Sequence, residues 1–288
     1  MGPRANHVTA LGLALCALSF GSSAPANAQS PTLQWQGFYA GVTAGGTWNE
    51  NDTTTLSTTS TDFNPVQPSA AIFAADYAAL SSGPFSSGTG SGVIAGGKVG
   101  FNWQFDSGLV AGIEADLQAL SGDADRSTNG LGQLGFVTTS TITVSKSVDY
   151  LGTLRGRLGW LVTPSVLVYG TAGLAYGGVE SGLLVAQDSP IVELLPAQAV
   201  SKASETLFGW TAGGGGEWLI GSNWSLNGEY LYYDLGTQRF NGGTIAPMVG
   251  AGAAGAGSPL FVNHLQASTR FDGHIIRVGA SYHFDWRR

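Results

Sequence analysis

After residue 28 no stretch offers twenty consecutive apolar residues, yet eight separate segments carry apolar side chains at every second position. From Phe38 the alternate set reads Phe38, Ala40, Val42, Ala44, Gly46 and Trp48, set against Tyr39, Gly41, Thr43, Gly45 and Thr47. A period of two puts successive side chains on opposite faces of a strand, so one face is apolar and the other small or polar. The second segment sets Val93, Val99, Phe101 and Trp103 against Lys98, Asn102 and Gln104. The third sets Leu109, Ile113 and Leu117 against Glu114, Asp116 and Gln118, and the fourth sets Tyr150, Leu154, Leu158 and Trp160 against Thr153, Arg155 and Arg157. In the fifth, Val168, Leu174 and Tyr176 oppose Leu167, Tyr169 and Thr171; in the sixth, Phe208, Trp210 and Trp218 oppose Thr211 and Glu217. The seventh opposes Trp224, Leu226, Tyr230 and Tyr232 to Ser225, Asn227 and Glu229, and the eighth opposes Ile276, Val278, Tyr282 and Phe284 to Arg277, Gly279, Ser281 and His283.

A membrane-spanning helix needs about 20 predominantly apolar residues, which this chain lacks. The bilayer core cannot satisfy unpaired backbone groups, so a closed β-barrel is the other way across it. Alternation over about ten residues is the mark of its strands. With only 11% of residues charged, the pattern predicts an all-β fold: an antiparallel transmembrane β-barrel of eight strands, an even number as in bacterial barrels. The 44 Gly invite a reading of disorder, but eight Trp, 13 Phe and nine Tyr in periodic segments speak against it for the strands.

Residues 1–28 read as an address. Arg4 and His7 precede an apolar run from Leu11 to Phe20, and Ala26-Asn27-Ala28 follows. This is the order of a secretory signal with cleavage before Gln29, which leaves a barrel domain over 29–288. Cys16 is the only cysteine, so the mature chain is expected to hold neither disulfides nor thiolate metal sites.

The connections alternate in length. Asp106-Ser107-Gly108, Thr163-Pro164-Ser165 and Gly221-Ser222-Asn223 are tight turns, expected in the periplasm together with both termini. Long Gly/Ser/Thr/Ala-rich stretches at about 49–91, 121–148, 179–205 and 235–272 are expected as extracellular loops. Phe38, Trp103, Trp160, Trp218, Trp224 and Phe284 fall near one end of their strands, with Trp48, Tyr150, Tyr176, Trp210 and Tyr232 near the other. Two girdles at the headgroup levels would have this spacing.

The non-lipid faces carry Lys98, Arg155, Arg157 and Arg277 together with Glu114, Asp116, Glu217 and Glu229, four charges of each sign, most at similar depth with Glu217 nearer the periplasm. An eight-stranded barrel is just wide enough for side chains to fill. A paired lumen network is therefore expected, with an ion-conducting constriction as the alternative. No His lies in a nucleophilic or H-x-x-x-H spacing, so neither catalysis, cofactor nor metal is expected. Glu114 and Asp116 face two arginines, which keeps both ionised and unsuited to acid catalysis. His264 and His274, on or beside the fourth long connection, are the candidates for an axial heme ligand, against a reading as solvated surface histidines. Asp123-Ala124-Asp125 could touch a cation, and Gly213–Gly216 is read as a place of close strand approach rather than a phosphate loop. The formal charge of −7 disfavours nucleic acid. Arg126, Lys146, Lys202, Arg239 and Arg270 could meet lipopolysaccharide phosphates.

The stretches GFYAGVTAGGTW (37–48), GGKVGFNWQF (96–105), DYLGTLRGRLGW (149–160), VYGTAGLAYG (168–177), GWTAGGGGEWLI (209–220), WSLNGEYLYYDLG (224–236) and HIIRVGASYHF (274–284) together resemble the small alphaproteobacterial outer-membrane barrels. That family includes rhizobial RopB, the twenty-five-kilodalton Brucella outer-membrane protein and the Bartonella hemin-binding proteins. The resemblance implies a structural surface protein, with porin-like, adhesive, host-contacting or hemin-binding roles as alternatives set by the loops. It also implies that Gly279, Tyr282 and Phe284 form the signal read by the barrel-assembly machinery, although Asp285-Trp286-Arg287-Arg288 follow where such chains usually stop.

Overall fold

A computed structural model describes residues 34–67, 69–87, 90–132, 138–189 and 194–284. The expected signal segment 1–28 and the tail Asp285–Arg288 lie outside the described residues. The strands are β1 (Gly37–Asn49), β2 (Thr53–Thr61), β3 (Gly83–Ser86), β4 (Ser91–Gln104), β5 (Leu109–Ser121), β6 (Asp123–Gly132), β7 (Thr138–Thr163), β8 (Val166–Asp188), β9 (Ala197–Leu219), β10 (Trp224–Ile245) and β11 (Val262–His283), with one helix, α1 (Ala70–Leu80). Antiparallel pairing in the order β1-β4-β5-β7-β8-β9-β10-β11 returns from β11 to β1, where Tyr39 pairs with His283 and Asn49 with Gly273. This ring of eight is the barrel, and its strands are those the alternation marks.

The pairing places the alternation as physics requires. Outward-facing Val42, Val99, Leu117, Leu158, Leu174 and Val278 are more than half exposed, whereas inward-facing Tyr39, Lys98, Glu114, Arg155 and Arg277 are buried. Aromatic rings gather at the two ends of this apolar band. At the short-turn end Phe38 packs on Phe101, Phe101 on Trp103, and Tyr282 on both Trp224 and Phe284. At the other end Trp48 stacks on His274, Tyr176 on Phe208, and Trp210 lies against Tyr232. All three expected tight turns are present, and Gly108 in the first takes φ 84°, where a Cβ would be strained.

The long connections differ from the expectation of open loops. β7 begins at Thr138, β8 runs on to Asp188, β9 begins at Ala197, and β10 and β11 reach Ile245 and Val262. Above the girdle the ring opens into two sheets, β6-β7-β8-β9 and β10-β11-β2-β3. Ile142, Val144, Leu183 and Val185 from the first pack with Leu56, Ile245, Leu265 and Ala267 from the second. α1 completes this core with Phe73, Ala74 and Tyr77, and the 246–261 connection adds Val249 and Phe261. The reason is a reversal of environment. Inside the bilayer the apolar side chains face out to lipid, and beyond it they must turn inward, away from water. On β8, which has no bulge, the apolar positions pass from Leu174 and Tyr176 to Leu183 and Val185, a change of face.

Candidate functional site

The lumen is filled in layers. At the short-turn mouth Trp35 is fully buried among Val110, Leu167, Tyr169 and Leu219. Its backbone N–H donates to Gln104 Oε1 at 3.0 Å and its indole N–H to the Pro164 carbonyl at 3.0 Å, so the segment before β1 is tied across the opening. Near the outer girdle a second apolar layer is formed by Ile94, Leu151, Leu231, Tyr233, Phe271 and Ile275, among others.

Between them lie the eight charges. Arg155 on β7 donates to Asp116 at 2.7 Å, to Glu229 at 2.8 Å and also to Glu114. Arg277 on β11 reaches Asp116 at 3.0 Å, and its Nε donates to Glu229 at 2.8 Å. Lys98 on β4 bonds Glu114 at 3.2 Å. Arg157 pairs with Glu217 and stands 3.9 Å from Glu114, so of the two β5 carboxylates it approaches one only distantly. Glu217 sits one step nearer the short-turn end, opposite Asn227.

The belt also includes neutral residues that the alternation places inside without naming a role. Tyr39 donates its hydroxyl to Glu114 at 2.7 Å, and Thr153 donates to Asp116 at 2.9 Å. The Arg157 guanidinium lies 3.6 Å from the Tyr169 ring centroid, a desolvated cation–π contact. His283 Nε2 is 3.2 Å from Glu217 and 3.0 Å from Ser225 Oγ. Ser225 and Glu217 therefore meet the same imidazole nitrogen. A nucleophile–base–orienter triad needs opposite nitrogens, so this cluster lacks that geometry.

The glycines fit the same picture. A Cβ on Gly215 would stand 3.0 Å from the Tyr169 hydroxyl and 2.3 Å from the Gly228 carbonyl, and one on Gly100 would strike the Tyr39 ring. At the end of β11, a Cβ on Gly279 would approach Asn227 Oδ1 and the Val42 carbonyl at 2.7 Å, while Tyr282 and Phe284 lie in the short-turn girdle.

The remaining candidates scatter. His274 is on β11 within the outer girdle; its Nδ1 meets Tyr230 Oη at 2.6 Å and its other nitrogen meets Glu50. Both ring nitrogens are thus engaged, which disfavours iron ligation. His264 lies ten residues up the same strand, about 33 Å away at ~3.3 Å per residue. It bonds Thr61 Oγ1 at 3.2 Å and lines a trough with Thr55, Ser57, Arg239, Asn241 and Gln266, a mostly polar set of side chains beside Phe240, Leu265 and Ala267. Asp123, Ala124 and Asp125 fall in β6, but their side chains lie outside the described residues. Among the described residues no three His, Cys, Asp or Glu gather to hold a metal. Of the cations expected at the surface, Lys146 is buried, donating to the Asn51 carbonyl at 2.9 Å and to that of Arg270. Arg270 pairs with Asp234 and with Asp272 at 3.5 Å, while Lys202 and Arg239 are exposed.

The model of the outer membrane protein beta-barrel domain matches residues 13–284. The chain belongs to this family. A 31 kDa outer-membrane immunogenic protein of Brucella melitensis is 30% identical over 262 residues, 91% of this chain and 89% of that protein. The 22 kDa outer membrane protein of Rhizobium leguminosarum bv. viciae is 34% identical over 148 residues, 51% and 55% of the two chains. The relatives are alphaproteobacterial, and the chain is an integral outer-membrane β-barrel. Among solved structures, OprG of Pseudomonas aeruginosa covers 86% of this chain and 97% of its own at 13% identity and TM-score 0.37. Ail of Yersinia pestis covers 86% and 99% at 10% identity and TM-score 0.30. Likeness at that level says nothing of function.

Proposed function

We propose that this protein is a structural component of the outer membrane: a plugged barrel that strengthens the envelope and presents a β-sandwich to the outside, with the short turns and both termini in the periplasm. The observation that carries this reading is the filled lumen. Arg155 and Arg277, each about 1% exposed, lock three carboxylates from two other strands, β5 and β10, across the middle, between apolar layers above and below. A solute pore would need a hydrated path past all three levels. Gly279, Tyr282 and Phe284 would serve the barrel-assembly machinery, and the sandwich would supply any contact with a host surface. The polar setting of His264 and the engaged ring of His274 favour this over hemin capture.

The decisive experiment is a planar-bilayer recording of the refolded protein beside its Trp35→Ala and Arg155→Ala/Arg277→Ala variants. The wild type is expected to give no steady conductance, and the variants to give brief or unstable openings. A stable, large wild-type conductance would replace the structural reading with the porin alternative.

A further inference from the structure

Above the outer girdle the outward face of the ring carries on as the outward face of the two sheets, but its chemistry changes from apolar to hydroxyl and amide. On the β10-β11-β2 side this face is hollowed into a trough of about 650 Å3. That size is ordinary for a small-molecule site, roughly 300–1,000 Å3. Its walls present Thr55 and Ser57 from β2, Arg239 and Asn241 from β10, and His264 and Gln266 from β11. The hollow arises from the strand itself: β10 shifts register between Asn241 and Gly243, and a bulge bends and twists its strand locally.

The electrostatics of the trough are one-sided. No carboxylate lines it. Arg155, Arg157, Arg270 and Arg277 all sit on carboxylates, whereas Arg239 makes no ion pair among the described residues. Height decides what such a site meets. Arg239 pairs with Ser268, six residues up β11 from the girdle residue His274. Six residues are about 20 Å of strand, or about 15 Å above the girdle at a strand tilt of ~40°. The same face touches acyl chains below the girdle and headgroups at it, so its next neighbour outward is the saccharide of the surrounding outer-leaflet glycolipid.

We infer that this trough binds an anionic saccharide segment of the outer-leaflet glycolipid, with Arg239 on a phosphate or carboxylate substituent and Asn241, Gln266, Thr55 and Ser57 on sugar hydroxyls. The inference rests on the proposed orientation, sandwich outward. A guanidinium supplies paired donors to such an anion, and amide and hydroxyl side chains both donate and accept as sugars do.

The test uses the full mature chain in nanodiscs and a named probe: the phosphorylated core oligosaccharide of a rough lipopolysaccharide, freed of lipid A, beside its dephosphorylated form. Titration calorimetry is expected to show saturable binding of the phosphorylated core, weakened by added salt. Arg239→Gln should weaken it at least tenfold, Gln266→Ala severalfold, and Lys202→Gln on the opposite sheet not at all. Absence of core binding, equal binding by Arg239→Gln, or binding only of intact lipopolysaccharide without sensitivity to Arg239 would overturn the inference. A Ser204→Cys variant, exposed on the opposite sheet and outside the trough, probed with an impermeant maleimide on intact cells keeps the two readings apart. Labelling without core binding sinks the saccharide site alone, whereas failure to label sinks the orientation on which it rests.

Discussion

Replacing Arg155 by alanine removes the cation that touches three carboxylates at once, Glu114, Asp116 and Glu229, and also its Nε bond to Thr153. The belt then holds Lys98, Arg157 and Arg277 against four carboxylates, one uncompensated charge in a layer whose side chains are almost wholly buried. Stranding a buried charge costs roughly 3–5 kcal/mol. At about 1.4 kcal/mol per factor of ten, this lowers the folded-to-unfolded ratio by roughly two to three and a half powers of ten. Several buried polar atoms, on Thr43, Asn102, Asn227 and Ser281, have no protein partner among the described residues, and lumen water there would moderate the loss. The assay is a urea titration of the refolded protein in detergent micelles, read by tryptophan fluorescence and by the shift of the folded band on an unheated gel. Arg239→Ala, on the exposed sheet, should stay within about 0.5 kcal/mol of wild type. The double variant Arg155→Ala/Asp116→Ala should lose less than the sum of its singles, because the carboxylate left behind is gone. Glu114 gives a sterner comparison, since Lys98 and Tyr39 still hold it when Arg155 is absent. If Arg155→Ala costs no more than Arg239→Ala, or the double variant is strictly additive, the paired-belt account is wrong.

Tags inserted at Thr59 or Gly255 should be detected on intact cells and tags at Ser107 or Ser222 should not; surface detection at the short turns would invert the proposed orientation. Removing Asp285–Arg288 should leave insertion intact or improved, while Phe284→Ala should reduce folded barrel in the membrane fraction, and the opposite pair of results would displace the assembly signal from Phe284. Burial pulls the Lys146 amine down to about 8 from an ordinary 10.5, against the opposing pull of Asp272 and Asp52. The unfolded chain therefore holds more protons than the folded one between those values, so stability should rise with pH across that window, by at most about 1.4 kcal/mol per pH unit. Lys146→Met should flatten that rise in the same urea titrations, and an unchanged slope would remove Lys146 from the explanation.

The membrane-spanning half of each ring strand is legible because two demands coincide there. Lipid asks for apolar residues outside, and a narrow lumen asks for polar residues inside, so Phe38 to Trp48 or Leu109 to Leu117 alternate sharply. Beyond the girdle the demands exchange places. On β7 a register shift between Val148 and Tyr150 coincides with the exchange, so the outward set passes from Tyr150 to Ser147, Ser145 and Thr143. Threonine and serine on the wet face dilute the contrast with Ile142 and Val144, which is why the segment resembles a polar loop. A usable signal was present in the switch from Leu174 and Tyr176 to Leu183 and Val185 along an unbroken β8. α1 had less to announce it: its N-cap Ser69 makes no side-chain cap bond, and its alanines carry little amphipathic contrast. Period alone puts every belt charge inside the lumen, but not who pairs with whom. That depends on reach across the barrel, and Arg157 finds Glu217 two strands away while leaving Asp116 to Arg155 and Arg277.

Every strand of the ring contributes to the belt: Tyr39 from β1, Lys98 from β4, Glu114 and Asp116 from β5, Arg155 and Arg157 from β7, Tyr169 from β8, Glu217 from β9, Glu229 from β10 and Arg277 from β11. Such a set cannot be satisfied by any hairpin or open sheet. Arg277 reaches Asp116 across 161 positions of sequence, a contact that depends on the β1–β11 seam being shut, while Tyr39 reaches Glu114 across 75, over the intervening β4. A slip of one residue in any of the six charged strands would turn its charge toward lipid. At the bilayer midplane that costs about 2–4 kcal/mol for Arg or Lys, and it would strand the partners left inside as well. The apolar outer face by itself penalises the same slip only through hydrophobic transfer, and it tolerates slips of two. The belt does not: a slip of two that puts Arg157 at the level of Arg155 leaves Glu217 without its arginine, and a slip the other way puts Thr153 there and leaves three carboxylates without that cation. Buried ion pairs are a poor source of net stability, since desolvation offsets most of their attraction. Their value in this lumen lies in the difference between the closed, in-register ring and every near miss.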